Sequence, residues 1–391
     1  MLHSTTSAVA NTLKDMNIAY DAKRITHNAT GLGNYGRTVV RNLAQFAPEN
    51  RYHLWSPDKG RDDLRSRMEG LENVEFHYPR KPKHGIFRAL WRSFGIVREL
   101  PADTALFHGL SAELPSGLRK AGIASVVTVH DLIFLRYPRY YKAIDRLLYT
   151  RKYKKACREA DRIIAISEAT KRDIVDFFGI APDKIDVVYQ GCDEQFKHPV
   201  PEERKQEIVK KYALPERFVL SVGSIEERKN LLAALKAIEL STNDLHLVAV
   251  GKRTPYTEVV ERYAAEHGLS GRLHILCSVD FADLPTLYQS AAVFVYPSRF
   301  EGFGIPMIEA AHCGVPTVGA TGSCLEEAGG ATAIYVDPDD YEGFAQQIDR
   351  ILADSDLRRR MIDGGREYVR RFEPDVLVAD LLKVYNKAIS N

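Results

Sequence analysis

The sequence predicts an α/β protein built from two Rossmann-like, doubly wound domains. Short apolar runs rich in β-branched and aromatic residues alternate along the chain with segments of helical periodicity, which is the pattern of parallel strands joined by helices. A chain of 391 residues is also too long for one ordinary core. The alternation stops at residues 190–203, where a glycine, two prolines and polar side chains are typical of a linker. We therefore expect a first domain at 16–195 and a second at 196–373.

Composition and charge exclude several classes of protein. No apolar run approaches the ~18 residues of a membrane-spanning helix. Residues 1–15 lack the basic start and apolar centre of a secretory signal, and we expect them to be an N-terminal extension. Five cysteines without CxxC pairing suggest reduced thiols in a cytoplasmic protein.

Residues 1–195 carry 31 Lys and Arg against 23 Asp and Glu, which suggests an anionic partner for the first domain.

The first domain opens with a strand at 17–22 and a glycine loop, Gly31 to Gly36, that begins a helix running to about Phe46. The loop has the spacing G-x-G-x-x-G, but a dinucleotide-binding loop follows its strand directly, whereas roughly nine residues intervene here. The next strand, at 52–56, does not end in an acidic residue. These departures argue against NAD binding.

Polar side chains follow the later strands of this domain, predicted at 74–78, 105–108, 125–129, 161–166 and 185–189. His108 ends one strand, His130 and Asp131 follow the next, and Ser167 stands after a third as the predicted cap of a helix. Open α/β sheets bind ligands at the carboxyl ends of their strands. These four residues are therefore candidate site residues.

The second domain repeats the alternation, with strands predicted at 218–222, 246–250, 273–276, 291–296, from 317, and 332–336. Helices are predicted from 231 and at 256–267, 284–290, 306–313, 341–353 and 376–390. Gly223 directly follows the first strand, and Arg228 and Lys229 precede the first helix. A glycine and two cations near a helix start suit a diphosphate.

The segment 294–318 reads as strand, glycine loop, helix and strand. N–H groups at Gly304 and Ile305 would point out of the helix start and favour an anion. Glu301 lies in the loop, and Glu309 lies about one turn inside the helix. Carboxylates near a helix start are suited to accept hydrogen bonds from a ribose or sugar diol.

The spacing Glu301-x7-Glu309, with Phe303 and Gly304 between, resembles the signature of retaining glycosyltransferases of the GT-B fold, in particular the GT4 (glycosyltransferase group 1) family. This resemblance implies that the two domains face a central cleft, that the first binds the acceptor and the second the nucleotide sugar, and that a helix within 374–391 crosses back to the first domain. Similarity to bacterial mannosyltransferases of surface-polysaccharide assembly makes GDP-mannose the expected donor.

The resemblance also assigns roles to individual residues. Glu301 and His130 would act on the transferred sugar, and Glu309 would bind the ribose. The diphosphate and sugar would meet the donor-binding residues Gly33, Gly223, Arg228, Lys229, Phe303, Gly304 and Ile305, and Val279 would lie under the nucleobase. His108, Asp131 and Ser167 are the acceptor-binding candidates.

A departing diphosphate gains negative charge, which cations or helix termini can stabilise. The motifs Asp337-Pro-Asp339 and Asp354-Ser-Asp356 match a metal-binding Asp-x-Asp, but Asp339 or Asp340 is expected to cap a helix. We expect no metal or other cofactor, with Arg228 and Lys229 in the metal's place. The alternatives are a nucleotide-sugar epimerase of similar fold and an inactive sugar-nucleotide-binding protein.

Two basic segments of the first domain, 81–94 and 136–158, combine Lys and Arg with aromatic residues. Solvated helix faces are one interpretation. Peripheral contact with an anionic membrane, at its inner face and beside a lipid-linked glycan acceptor, is the other. No nucleic-acid-binding module surrounds either segment, so no nucleic acid is expected.

Overall fold

The computed structural model describes residues 14–81 and 84–390. The predicted extension at 1–15 therefore lies outside the described residues, except for its last two positions. The chain forms two compact units: Met1–Gln190 together with Glu373–Asn391, and Gly191–Phe372. Each unit contains its own parallel sheet.

The first unit contains a parallel sheet in the order β3-β2-β1-β4-β5-β6-β7. Its strands are β1 (Asn17–Asp21), β2 (Arg51–Trp55), β3 (Val74–His77), β4 (Thr104–Gly109), β5 (Ala124–Val129), β6 (Arg162–Ala165) and β7 (Ile185–Val187). The order reverses direction between β1 and β4, as in a doubly wound fold. Central strands are buried on both faces, which explains why they are continuous apolar runs in the sequence.

Helices of the first unit lie at Lys23–His27, Gly31–Phe46, Asp62–Arg65, Ile86–Leu90, Ile133–Arg136, Ala143–Glu159, Glu168–Phe178 and Pro374–Ile389. The last of these packs on the helix Gly31–Phe46 and on β4, β5 and β6. Its apolar face buries Leu381 and Tyr385, while Pro374 stands in the first turn, where its missing N–H costs nothing.

The second unit contains a parallel sheet in the order β10-β9-β8-β11-β12-β13. Its strands are β8 (Phe218–Val222), β9 (His246–Val250), β10 (Leu273–Leu276), β11 (Val293–Tyr296), β12 (Thr317–Ala320) and β13 (Ile334–Val336). Helices lie at Glu202–Lys211, Leu231–Leu240, Pro255–Glu266, Leu284–Ser290, Ile305–His312, Leu325–Gly329, Tyr341–Ala353 and Ser355–Tyr368. Strand order reverses between β8 and β11, so their carboxyl ends flank the reversal point at which such sheets bind ligands.

The predicted fold class, two parallel Rossmann-like domains, is confirmed. The strands and the helix Gly31–Phe46 lie within about two residues of their predicted positions. The prediction missed the short helix Lys23–His27, which occupies the gap between β1 and the glycine loop. It also missed Glu202–Lys211, a helix that begins in the predicted linker with acidic residues in its first turn and lysines in its last.

Among the described residues, none of the helices is both long enough and apolar enough to span a bilayer.

Candidate functional site

The loops that follow β8 and β11 meet at the carboxyl edge of the second sheet. The two strands are parallel neighbours, so both chains leave the sheet on the same side. The Arg299 N–H donates to the Arg228 carbonyl at 2.9 Å, which joins one loop to the other. Asn230, in the left-handed conformation at φ 57°, donates through its side-chain amide to the Pro297 carbonyl at 3.3 Å and to the Pro338 carbonyl at 2.8 Å. The backbone of this edge is therefore held by cross-loop hydrogen bonds.

Glu301 is the centre of a charged cluster at this edge. Lys229 Nζ lies 2.9 Å from Glu301 Oε1, and Arg228 Nη1 lies 2.9 Å from Oε2. The hydroxyls of Ser298 and Tyr296 donate to Oε1 at 2.7 and 3.1 Å. The structure thus brings together three predicted site residues, and it adds Ser298 and Tyr296, which the sequence analysis did not single out.

Each charge in the cluster is stabilised by its neighbours. Burial alone would raise the pKa of Glu301, but the charges of Lys229 and Arg228 lower it to about 2. Burial lowers the pKa of both cations, and the Glu301 carboxylate outweighs that effect and raises them. Glu301, Lys229 and Arg228 are therefore ionised at neutral pH. A second carboxylate, Glu226, lies 3.6 Å from Arg228, so the cations and carboxylates of this edge balance in number.

Gly223 allows the Lys229 side chain to pass over the end of β8. The glycine has φ 148°, and a Cβ at that position would lie 3.0 Å from Lys229 Cδ. The ammonium group then reaches the Tyr296 hydroxyl at 2.9 Å, with the ring centroid 5.3 Å away. A side chain at residue 223 would strain the backbone and displace the lysine.

The helix Ile305–His312 starts beside this cluster, one residue before its predicted start. Gly304 precedes it at φ 141°, and a Cβ there would lie 3.0 Å from side-chain atoms of both Leu325 and Ala328. The first N–H groups of a helix lack intrahelical partners, and the predicted binding of an anion by the backbone at Gly304 and Ile305 stays a prediction. The preceding Phe303 is buried and packs edge-on against Phe372.

Glu309 lies inside this helix and is 8% exposed. The Tyr288 hydroxyl donates to Glu309 Oε2 at 2.7 Å. Burial raises the pKa of Glu309 to about 7, which the Tyr288 hydrogen bond opposes and the charge of Asp193 reinforces. The two predicted carboxylates thus differ in charge at neutral pH: Glu301 is fully ionised, whereas Glu309, with a pKa of about 7, is only partly ionised.

A buried thiol supports the loop between the two carboxylates. Cys324 Sγ donates to the carbonyls of Glu301, at 3.0 Å, and Phe303, at 2.6 Å. Burial raises the pKa of this thiol well above its ordinary value, so it is not a nucleophile. Nothing in the sequence around Cys324 indicated this contact.

The two Asp-x-Asp motifs serve local structure. Asp339 forms a two-point ion pair with Arg299 at 2.5 and 2.9 Å. Asp340 accepts from the Gly343 N–H as the cap of the helix Tyr341–Ala353, which confirms the predicted capping. Asp354 caps the helix Ser355–Tyr368.

Val279 lies half-buried in the loop after β10, the edge strand of the second sheet. Its predicted contact with a nucleobase stays a prediction.

In the first unit, His108 belongs to a buried polar network. Its Nδ1 lies 2.7 Å from the Tyr385 hydroxyl and its Nε2 lies 2.8 Å from Thr128 Oγ1. Burial, with a smaller effect of His130, lowers the pKa of His108 to about 3, so the ring is neutral. His108 thus ties the C-terminal helix to the sheet, and an acceptor would have to displace one of these hydrogen bonds to contact it.

His130 is half-buried directly after β5, as predicted. Its Nε2–H donates to the Leu110 carbonyl at 2.9 Å, so Nδ1 carries the lone pair. Burial is the main effect that lowers the pKa of His130 to about 4, although the Leu110 hydrogen bond opposes it. The rings of Tyr35 and His130 pack edge to face, with their centroids 4.6 Å apart. His130 is therefore a neutral hydrogen-bond acceptor through Nδ1.

The remaining first-unit candidates hold backbone turns. Asp131 accepts from the Ile133 N–H at 3.1 Å. Ser167 accepts from the Thr170 N–H at 3.0 Å, which confirms the predicted helix cap. Gly33 is buried inside the helix Gly31–Phe46, its N–H donates to Thr30, and a Cβ there would lie 1.8 Å from the Asn28 carbonyl oxygen. This close approach explains the glycine without a ligand.

Two family models match the chain. The model described as "Glycosyltransferase Family 4" matches residues 31–196, and the one described as "Glycosyl transferases group 1" matches residues 203–368. Together they cover both units.

Among similar proteins, the O-antigen chain mannosyltransferase B of Escherichia coli is 26% identical over 95% of this chain and 99% of its own length. The serotype-specific mannosyltransferase WbdA of Escherichia coli is 31% identical over 61% of this chain, but the match spans only 30% of that protein.

Solved structures of similar fold include Anabaena HepE in complex with UDP and glucose, with a TM-score of 0.75, 16% identity and coverage of 94% of this chain and 98% of that one. Another is the sucrose-phosphate synthase of Thermosynechococcus elongatus, with a TM-score of 0.73, 21% identity and coverage of 96% and 100%.

Proposed function

This chain belongs to the glycosyl transferases of group 1, and on that premise we propose that it moves mannose from GDP-mannose to a hydroxyl group of a glycan or lipid-linked glycan. The observation that carries the proposal is the Glu301 carboxylate held between Lys229 and Arg228 at the ends of β8 and β11. This cluster offers a carboxylate for a sugar and two oriented cations for a diphosphate.

The choice of donor rests on the relatives. Two matching Escherichia coli proteins are named mannosyltransferases, one of them of O-antigen chains. HepE, which shares the fold, binds UDP and glucose. We propose a nucleoside-diphosphate sugar as the class of donor on that basis, with mannose as its sugar and a polysaccharide as the acceptor.

The proposed reaction breaks the bond between the anomeric carbon and the phosphate oxygen and forms a bond from the acceptor oxygen on the same face of the sugar. The acceptor proton passes to the departing phosphate oxygen. Negative charge develops on that phosphate, and Lys229 and Arg228 are already desolvated and oriented to stabilise it. We propose that they replace a metal ion in this step and that the configuration of the sugar is retained.

Positive charge develops at the same time on the sugar ring. The ionised Glu301 carboxylate favours that charge. Neutral His130 does not oppose it, and its Nδ1 can accept a hydrogen bond from a sugar hydroxyl, because its Nε2–H is used by Leu110. We propose each of these two residues as catalytic.

The rest of the donor is proposed to follow the helix Ile305–His312. Glu309 would accept hydrogen bonds from the ribose, the N–H groups at Gly304 and Ile305 would contact the phosphates, and Val279 would lie by the base. His108, Asp131 and Ser167 remain the acceptor candidates, and His108 would have to release one of its hydrogen bonds to contact an acceptor.

A donor screen followed by a transfer assay tests this function. GDP-mannose should raise the melting temperature more than UDP-glucose does, since a ligand that binds only the folded state stabilises it. Labelled mannose should then appear on an added polysaccharide or lipid-linked glycan. Stabilisation by UDP sugars alone would refute GDP-mannose as the donor. Conversion of GDP-mannose without transfer to any acceptor would favour the epimerase alternative.

We further propose that the first unit contacts an anionic membrane through exposed apolar side chains. Phe87 and Phe94 are 62% and 58% exposed, and Ile144 is 60% exposed. Glu113 links the basic segments 81–94 and 136–158, because it pairs with Arg92 of the first at 2.7 Å and with Lys152 of the second at 2.9 Å. Rings at the headgroup boundary beside cations are the features of an interfacial surface.

Not every residue of these basic segments takes part in that surface. Trp91 is 5% exposed and donates through Nε1 to Glu99 at 3.1 Å. Arg92 is enclosed by Asp21 and Glu113. Both side chains belong to the interior, so the proposed surface is formed by other residues. These are the exposed apolar side chains of the segment 81–94, namely Ile86, Phe87, Leu90 and Phe94, and those of the helix Ala143–Glu159.

A further inference from the structure

The outer edge of the first sheet places two histidines and a glutamate on one face. In the parallel pair β2 and β3, His53 is the Cα partner of Glu75. Because side chains alternate along a strand, His77 lies on the same face as Glu75, two residues further on. The proposed transfer reaction uses none of the three.

Their ligand atoms form a small triangle. His53 Nδ1 is 2.9 Å from His77 Nε2, and Glu75 Oε2 is 3.7 and 3.6 Å from these two atoms. A point at the centre of such a triangle is roughly 2.0 Å from each corner, which is the length of a Zn–N or Zn–O bond. The spacing therefore matches a single zinc ion without movement of the backbone.

The lone pair of His53 is aimed at this point by a chain of hydrogen bonds. Asn17 Nδ2 donates to Asp103 at 2.7 Å, which turns Asn17 Oδ1 towards His53. That carbonyl oxygen can only accept, so the His53 Nε2, 3.0 Å away, must carry the proton. Nδ1 is then left as the ligand atom. Hydrogen-bonded outer partners of this kind fix the tautomer and orientation of metal-binding histidines.

The ring of His77 is held from the other side. It stacks on Trp55 with the ring centroids 4.5 Å apart and the planes 16° apart. Its Nε2–H donates to His53 Nδ1 when no ion is bound. A shift of that proton to Nδ1 gives the neutral tautomer that binds a metal, with no change in net charge.

We propose that His53, Glu75 and His77 bind one Zn²⁺ ion that fastens the edge strand β3 to β2. Two imidazoles and one carboxylate are ligands that zinc prefers, and Glu75, whose side chain is 68% exposed, leaves the fourth position open to water. The site shares no residue with the Glu301 cluster, whose proposed reaction uses no metal, so the ion is expected to affect the stability of the sheet edge and not the transfer.

The second sheet contains a matched control. His246 Nδ1 lies 2.8 Å from His274 Nε2, across β9 and β10, in nearly the same geometry as the first pair. Over the residues that the structure describes, no acidic or thiol group completes that pair to three ligands. A histidine pair alone is therefore expected to bind zinc far more weakly than the first site.

The test is a titration of the metal-stripped, tag-free full chain with Co²⁺, whose visible absorption reports four-coordinate binding, followed by displacement with Zn²⁺. We expect one equivalent to bind, and Zn²⁺ to raise the melting temperature. His77→Gln and Glu75→Gln should abolish the absorption, Asn17→Ala should weaken binding by about 10–100-fold, and His246→Gln should change nothing.

Glu75→Gln alters an exposed side chain and keeps the test valid if a histidine variant fails to fold. Melting in EDTA should be the same for Glu75→Gln and the parent protein. The proposal is overturned if the parent chain gives no absorption. It is equally overturned if Glu75→Gln binds Co²⁺ as tightly as the parent, or if His246→Gln is the variant that loses the signal.

Discussion

Replacing Glu309 by glutamine is expected to stabilise the folded protein strongly at pH 8 and much less, by roughly 1 kcal/mol or below, at pH 5. The pKa of Glu309 is about 7 in the folded state, against an ordinary 4.5. Between these values the unfolded chain releases a proton that the folded chain retains, so the stabilising contribution of Glu309 is complete below pH 4.5 and is lost progressively as the pH rises from 4.5 to 7. Glutamine has no such proton to release.

The size of the effect follows from the pKa difference. A shift of roughly 2.5 units at 1.36 kcal/mol per unit corresponds to about 3 kcal/mol at pH 8, as an upper value. Glutamine keeps a carbonyl oxygen that can accept the Tyr288 hydrogen bond, so the packing of the site is conserved. The same substitution removes the ionised carboxylate that is proposed to bind the ribose, and nucleotide affinity should therefore fall as stability rises.

Urea denaturation at pH 5 and pH 8 measures this prediction. Both tryptophans, Trp55 and Trp91, lie in the first unit, so their fluorescence follows that unit while far-UV circular dichroism follows both. Glu301→Gln is the matched control with the opposite sign, because it leaves the half-buried Lys229 and Arg228 without the Glu301 carboxylate. It should destabilise the protein at both pH values, by at most ~3–5 kcal/mol. Equal pH dependence in Glu309→Gln and the parent protein would refute the reasoning.

Three further predictions concern the donor and the membrane. Glu309→Ala should weaken the binding of GDP and of GDP-mannose alike by ~1–3 kcal/mol, as measured by calorimetry, which is the range for a hydrogen bond to a charged group. Unchanged affinity would refute the proposal that Glu309 binds the ribose. Lys229→Ala should lower turnover by ~10²–10³, while the parent enzyme keeps its activity in EDTA; loss in EDTA that Mg²⁺ restores would favour a metal mechanism. The double variant Phe87→Ser and Phe94→Ser should no longer float with anionic vesicles, and a parent protein that never floats, even at low salt, would refute membrane contact.

Much of the fold was predictable because burial leaves a local signature. Strands such as β8 and β11 are covered on both faces, so their residues form unbroken apolar runs between turn-forming residues. The short helices Lys23–His27 and Leu325–Gly329 were missed because a helix of about five residues has no periodicity to detect.

The candidate site was predictable only in part. Glu301, Glu309 and Lys229 were found from spacing within single loops and helices. Their partners come from distant positions, such as the Tyr288 hydroxyl on Glu309, and no local pattern predicts that contact. The opposite pKa shifts of the two glutamates depend on these partners and were therefore beyond sequence analysis.

The pairing of Glu301 with Lys229 and Arg228 leads to a last prediction, which is that removal of Glu301 affects turnover and GDP affinity differently. A donor diphosphate must share cations that the carboxylate already holds at 2.9 Å. Removal of the carboxylate in Glu301→Ala leaves the half-buried Lys229 without an ion-pair partner among the described residues and leaves Arg228 only its 3.6 Å ion pair with Glu226, so both cations gain from a new anion. GDP should therefore bind to Glu301→Ala as tightly as to the parent protein or more tightly, while turnover falls because the sugar loses its carboxylate. A parallel loss of GDP affinity and turnover would show instead that Glu301 only positions the cations.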